Sequence, residues 1–242
     1  LLKAWTGWRE IGKPMKDKYM RMVEIGELGA KDLGYAGLTD LWFSKYDMPA
    51  EEFLDETDRV WEEVKPLYDA LQCHVRTKLN EEYGDEIVPS EGMLPAHVLG
   101  KMWGQSWANV YDLVFEEDPN AVSINLTSII EERELTEREM VVIAEDFFLS
   151  LGFEPLPETF WERSLFTKPQ DRGVVCHASA WNLDPATNDL RIKMCIEKNE
   201  EDFVTIHHEL GHIFYYQAYN HLPGVFRSGA NDGFHEAVGD LL

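Results

Sequence analysis

Basic side chains are scarce in this sequence. Only 22 Lys and Arg stand against 45 Asp and Glu, a net charge of −23 over 242 residues. Such a chain repels phosphate backbones, so nucleic acid is excluded as a partner on charge. The acids are spread along the whole length and read as solvated helix faces, not as an acidic tail. Long apolar runs are missing too. No stretch approaches the ~20 residues that span a bilayer, so no membrane segment is expected here, and no secretory leader is visible. Internal repeats and low-complexity linkers are likewise absent from the sequence. The chain opens on Leu1-Leu2-Lys3-Ala4-Trp5 and closes on Asp240-Leu241-Leu242, both with the look of mid-helix. The expectation is therefore part of a single domain, residues 1–242, cut at both ends. With 44% hydrophobic residues, it has enough apolar side chains for a real core.

Cysteine is also sparse, with three in the chain. Cys176 and Cys195 sit in two segments of β character, and the turn-rich Asn182–Asp189 lies between them. A hairpin with a cross-strand disulfide fits, which points to an oxidising compartment; two reduced thiols are the alternative. Cys73 is left over in a helical pattern and is expected to be free and buried. Asn125-Leu126-Thr127 is an N-glycosylation sequon.

The chemistry is concentrated near the end of the chain. His208-Glu209-Leu210-Gly211-His212 is an H-E-x-x-H motif. Two imidazoles one helical turn apart can bind one ion, and neutral imidazole suits zinc. Glu209 projects beside that ion, where it can take a proton from a water whose acidity the zinc has raised. A third protein ligand is needed. The metzincin arrangement requires Gly and His at positions that hold Tyr215 and Ala218, so it is excluded. Glu236 is the better candidate. Asp240, one turn further on the same short helix, can accept the N–H of a ligating histidine. His207 and His235 are each adjacent to a ligand in sequence and point off its face, so both read as structural.

The remaining pattern is mainly helical. Apolar spacing predicts a helix from residue 1 to about 35, broken by Gly34 and Gly37. Another is expected from Met48-Pro49-Ala50 to Tyr83, kinked at Pro66 and ended by Gly84. Ala96–Val114 reads as an aromatic helix, Glu116–Asn120 as a loop, and Glu134–Leu151 as a helix with a Thr136/Glu139 capping box. Asn199 is placed to cap the metal helix. Gln105 reads as an ordinary helix residue or as a donor to a carboxylate in a cleft, and Arg9 as a surface arginine or an anion site. A small β element beside a metal suggests that an extended peptide is held against a strand edge.

Three blocks together resemble the angiotensin-converting-enzyme family of zinc peptidyl-dipeptidases. They are Cys176-His177-Ala178-Ser179-Ala180-Trp181, His207 through Ile213, and Leu222-Pro223 with Gly229 through Asp240. Weaker likeness at Trp103-Gly104-Gln105-Ser106-Trp107, Pro95-Ala96-His97 and Phe160-Trp161 extends it over essentially the whole chain. The resemblance implies a mainly α fold with a deep central cleft and a small β-hairpin by the metal. It implies Zn2+ on His208, His212 and Glu236, Glu209 as general base then acid, and Asp240 as the partner of a ligating histidine. His177 would hydrogen-bond a substrate carbonyl, and Ala178 and Ala180 would offer backbone groups to the peptide. Gln105 would hold the substrate's free C-terminal carboxylate, with Val204 and Thr205 lining the last side-chain pocket. Cys176 and Cys195 would be disulfide-bonded. Trp8-Arg9 resembles part of a chloride site, making chloride an implied second ion at Arg9.

The implied partners are oligopeptides with a free C-terminus, and the implied location is extracytoplasmic: secreted, cell-surface or periplasmic. The family's other carboxylate and oxyanion donors come later than Leu242, so the segment alone is expected to be inactive and poorly folded within an active whole. The alternatives are a zinc carboxypeptidase or oligopeptidase with a similar site, or a non-catalytic peptide-binding scaffold.

Overall fold

The architecture is that of a computed structural model, which describes residues 1–115 and 124–241. The loop expected at Glu116–Asn120 lies outside the described residues. The chain divides into two compact units, Leu1–Ala121 and Val122–Leu242.

The first unit carries α1 (Leu2–Gly12), α2 (Lys16–Asp32), α3 (Leu38–Phe43), α4 (Ala50–Tyr83) and α5 (Tyr111–Val114). The single helix expected over the first 35 residues is divided by a 3-10 turn at Lys13–Met15, where Pro14 needs no N–H partner. Helix α2 ends as the glycine predicts. Gly34 takes a left-handed φ of 91° and Tyr35 N–H returns to the Ala30 carbonyl at 3.0 Å. Helix α4 runs unbroken through Pro66, which deprives the Glu62 carbonyl of its helical partner, and stops at Gly84. Its buried stripe holds Val75 and Leu79, which pack with Val88, Val98, Leu99, Val110 and Val114. Cys73 is free as expected but exposed, because it lies two residues from Val75, nearly opposite on the helix.

The helix expected over Ala96–Val114 does not form. Short 3-10 turns at Ala96–Val98 and Ala108–Val110 flank an irregular stretch before α5. Gly100 (φ 81°) and Gly104 (φ 70°) take the left-handed conformation that ends helices. A Cβ on Gly100 would come within 2.5 Å of the Asn109 Cβ. The apolar spacing there serves an irregular backbone that still turns its valines inward.

The second unit carries α6 (Leu126–Glu132), α7 (Glu137–Ser150), α8 (Glu158–Arg163), the strands β1 (Ser179–Asp184) and β2 (Asp189–Lys193), α9 (Glu200–Asn220) and α10 (Asp232–Leu241). The Thr136/Glu139 capping box forms at the start of α7. The strands form the expected antiparallel hairpin, pairing Ser179 with Lys193 and Ala180 with Ile192. The far side of β2 is taken by Leu165, whose N–H donates to Ile192 O at 2.9 Å, while β1 keeps a free edge among the described residues. Cys176 and Cys195 are disulfide-bonded. The core beneath the hairpin holds Phe148, Phe160, Leu190, Ile192, Ile206, Leu210, Ile213 and Phe214, with Phe148 stacked on Phe214 at 4.5 Å. Each such fully buried side chain contributes about 1.5–3 kcal/mol, so α9 is held firmly by its core face.

Candidate active site

Helix α9 starts where its sequence requires. The Asn199 side chain accepts the Asp202 N–H at 2.7 Å, and Glu200, Glu201 and Asp202 sit at the positive end of the helix. With Ile206, Leu210 and Ile213 turned to the core, the neighbouring face presents His208, Glu209 and His212. The His208 and His212 Nε2 atoms lie 3.1 Å apart.

Helix α10 reaches this face because two glycines meet at the crossing. A Cβ on Gly211 would lie 2.8 Å from the Gly239 Cα. One on Gly239 would lie 2.8 Å from both Nδ1 and the carbonyl oxygen of His208. Bare backbone at both positions lets α10 deliver Glu236 and Asp240 to the histidines. The Glu236 Oε2 lies 3.3 Å from His208 Nε2 and 3.5 Å from His212 Nε2.

These three atoms form a nearly equilateral triangle. Ligands at about 2.0–2.1 Å from a tetrahedral zinc stand about 3.3 Å from one another, so the observed spacing fits that ion. Among the described residues, His208, His212 and Glu236 form a group whose ligand atoms are close enough together to hold one metal ion. Each histidine is also held from behind. Asp240 Oδ1 accepts from His208 Nδ1 at 2.8 Å. His212 Nδ1 faces His235 Nδ1 at 2.6 Å.

Glu209 is only 6% exposed. Burial pushes its carboxyl above the ordinary range and the Glu236 charge adds to this, while His208 and His177 pull the other way. Burial lowers the pKa of His212 and of His235, favouring neutral imidazoles. Burial also raises the Tyr216 phenol, helped by the nearby Glu209 and Glu236 charges.

Glu209 stands between two hollows. A cavity of about 710 Å³ on one side is bordered by Cys176, Val204, Thr205 and Asp240. One of about 400 Å³ on the other is bordered by Ala180, His212, Tyr216 and Glu236. His177, Ala178, His208 and Glu209 border both. The exposed His177 has Nδ1 2.6 Å from the Ala178 carbonyl, so its Nδ1–H donates there. The Thr205 hydroxyl donates back to Glu201 O at 2.9 Å.

The first unit holds the other two candidates. Gln105 is exposed in the irregular stretch after Gly104. The Arg9 guanidinium lies over the rings of Trp5 (4.5 Å) and Trp103 (4.9 Å) and donates to Met102 O. Arg9 Nε and Trp5 Nε1 are buried donors without a partner. The rings that Arg9 covers are thus those of Trp5, four residues earlier on α1, and Trp103. In the second unit, Asn125 is exposed. Its Oδ1 accepts the Ser128 N–H and caps α6, so the nitrogen of the sequon's amide is not used in the cap.

Two histidines one turn apart, an acid between them and a glutamate from the following helix define the class of H-E-x-x-H metallopeptidase sites. Comparison with known proteins narrows this. The family model described as "Angiotensin-converting enzyme" matches residues 1–242, and the chain belongs to that family. It is 44% identical over 241 residues to the angiotensin-converting enzyme of Bos taurus, covering 99% of this chain and 18% of that protein. It is 42% identical over 239 residues to that of Theromyzon tessulatum, covering 98% and 38%. For that of Haematobia irritans exigua the figures are 40% over 242 residues, covering 98% and 39%. The chain therefore spans less than half the length of these curated relatives.

Proposed function

We propose that the protein carrying this chain is a zinc metallopeptidase that removes dipeptides from the free C-terminus of oligopeptides. The single observation that carries the reading is the triangle of His208 Nε2, His212 Nε2 and Glu236 Oε2, with the buried Glu209 beside it. Family membership supports it, since homologues are zinc peptidyl-dipeptidases. We infer too that residues 1–242 belong to one catalytic domain, as a match unbroken over both units suggests.

His208, His212 and Glu236 would hold the zinc, which when bound would supply a Lewis acid. Glu209 takes the proton of the attacking water and passes it to the departing amine. Asp240 fixes the ring of His208. Ala178 and Ala180, beside the free edge of β1, pair with an extended peptide. His177 donates to a substrate carbonyl. While its Nδ1–H is held by Ala178 O, the remaining nitrogen can donate only in the imidazolium form. Val204 and Thr205 line the pocket for the last side chain, and Gln105 receives the terminal carboxylate.

Chloride near Arg9 is proposed on the two orphaned donors, Arg9 Nε and Trp5 Nε1, which an anion would satisfy. The Cys176–Cys195 disulfide favours an extracytoplasmic location, and no helix among the described residues is long and apolar enough to cross a membrane. The free amide nitrogen of Asn125 is compatible with a glycan.

The test uses the intact protein and a blocked tripeptide with a free C-terminus, with and without a zinc chelator, reading products by mass. Release of a C-terminal dipeptide, lost on chelation and restored by zinc, is expected. Single-residue release makes it a carboxypeptidase. Internal fragments from longer peptides make it an oligopeptidase. No cleavage with zinc bound makes it a non-catalytic scaffold.

A further inference from the structure

Asp240 gives His208 a carboxylate to hold its ring, but among the described residues no carboxylate is hydrogen-bonded to His212 Nδ1. Its Nδ1 faces instead the Nδ1 of His235, 2.6 Å away. Two ring nitrogens at that distance share one proton, since two N–H groups clash and two lone pairs repel. If His235 carried it, the proton of a neutral His212 would sit on Nε2, aimed at His208 Nε2 (3.1 Å) and Glu236 Oε2 (3.5 Å), and Nε2 could not ligate. With zinc held by His212 Nε2, the shared proton has to sit on His212 Nδ1.

We propose that His235 is a positioning residue for His212: its Nδ1 lone pair accepts the His212 Nδ1–H and locks the tautomer that leaves Nε2 free for the metal. The proposal rests on the zinc reading above. The proton of His235 then sits on Nε2, which lies 3.4 Å from the Tyr219 hydroxyl. The His235 ring is clamped in this orientation. Its centroid is 4.6 Å from that of Tyr216 and 4.8 Å from that of Tyr215. On a third side, a Cβ on Gly229 would fall 2.9 Å from its Cδ2, so bare backbone is needed there. A ring held by two aromatic walls and a glycine keeps its acceptor aimed at one atom.

The test compares zinc affinity, by chelator competition, for the intact protein, His235→Leu and His235→Asn. Leucine keeps bulk and removes the acceptor. Asparagine places an amide oxygen near the position of Nδ1. Loss of such a partner typically weakens metal binding by about 10–100-fold, the result expected for His235→Leu, with most of it recovered in His235→Asn. Wild-type affinity in His235→Leu, or equal loss in both variants, overturns the proposal alone. A wild-type protein that binds zinc no tighter than Glu236→Ala overturns the metal reading and this proposal with it. Nitrogen-15 spectra of the zinc-loaded wild type give a readout free of any variant's folding. A protonated Nδ1 on His212 and an unprotonated Nδ1 on His235 are expected, and a proton on His235 Nδ1 refutes the proposal.

Discussion

Replacing Gly239 by alanine perturbs the helix crossing without touching a ligand. The new Cβ would start 2.8 Å from both Nδ1 and the carbonyl oxygen of His208, where ordinary contact begins near 3.4 Å. The backbone oxygen cannot rotate away, so α10 must retreat by about 0.6 Å, the difference between those values. Overpacking of this kind costs about 1–3 kcal/mol, and the gain from Gly to Ala inside a helix returns about 1. The net loss in stability is about 0–2 kcal/mol, a fall of at most about 8 °C in Tm for a domain of this size. The effect on the site is larger in proportion. Glu236 and Asp240 retreat with α10, loosening one proposed ligand and the partner of another, and on the zinc reading proposed above the affinity for that ion should fall about 10–100-fold. The assay is chelator competition on the intact protein, alongside a thermal melt without metal. Gly29→Ala in α2 is the control. Nothing lies within 4 Å of its added Cβ, so it should stabilise by about 0.5–1 kcal/mol and leave zinc binding unchanged. A Gly239→Ala protein with wild-type zinc affinity would refute the claim that this crossing sets the site.

Glu209→Gln should retain zinc and lose about 10²–10⁴-fold in kcat, measured by peptide turnover against metal content. Cys195→Ser opens the bridge between Cys176 and Cys195, separated by 19 residues, and should cost about 3 kcal/mol in denaturant unfolding. Asp189 gives a pH prediction. The Arg191 hydrogen bond, with the Arg191 and Arg163 charges, holds its carboxyl below the ordinary range against the effect of burial. A folded pKa below the unfolded one gives stability present above about 3.9 and lost as pH falls through the folded value. Tm measured against pH should therefore separate wild type from Asp189→Asn near neutrality and bring the two together in acid.

What was legible in the sequence is what depends on neighbours along the chain. The His208/His212 spacing, the Asn199 cap, the Thr136/Glu139 capping box and the Gly34 and Gly84 helix ends each involve residues within a turn or two, and the structure has them all. The hairpin was equally legible, because two β-prone segments flank a turn. The helix over Ala96–Val114 failed for a physical reason: apolar spacing cannot show whether Gly100 and Gly104 stay helical or turn left-handed. Along α10, His235 merely precedes Glu236, so its sequence position alone points to a structural role. Its partner, His212, comes from another helix, and only the approach through Gly211 and Gly239 brings them together. The pairing of those two glycines was similarly invisible. Trp5 could have been found, since residues four apart share a helix face and an arginine often covers an aromatic ring.

The central claim is that His208, His212 and Glu236 hold one zinc ion beside Glu209. Anomalous diffraction at the zinc edge from crystals of the intact protein tests it directly. A single peak is expected about 2.0–2.2 Å from the two Nε2 atoms and a Glu236 carboxylate oxygen. A zinc held by other residues, or no peak at this triad after zinc loading, would contradict it.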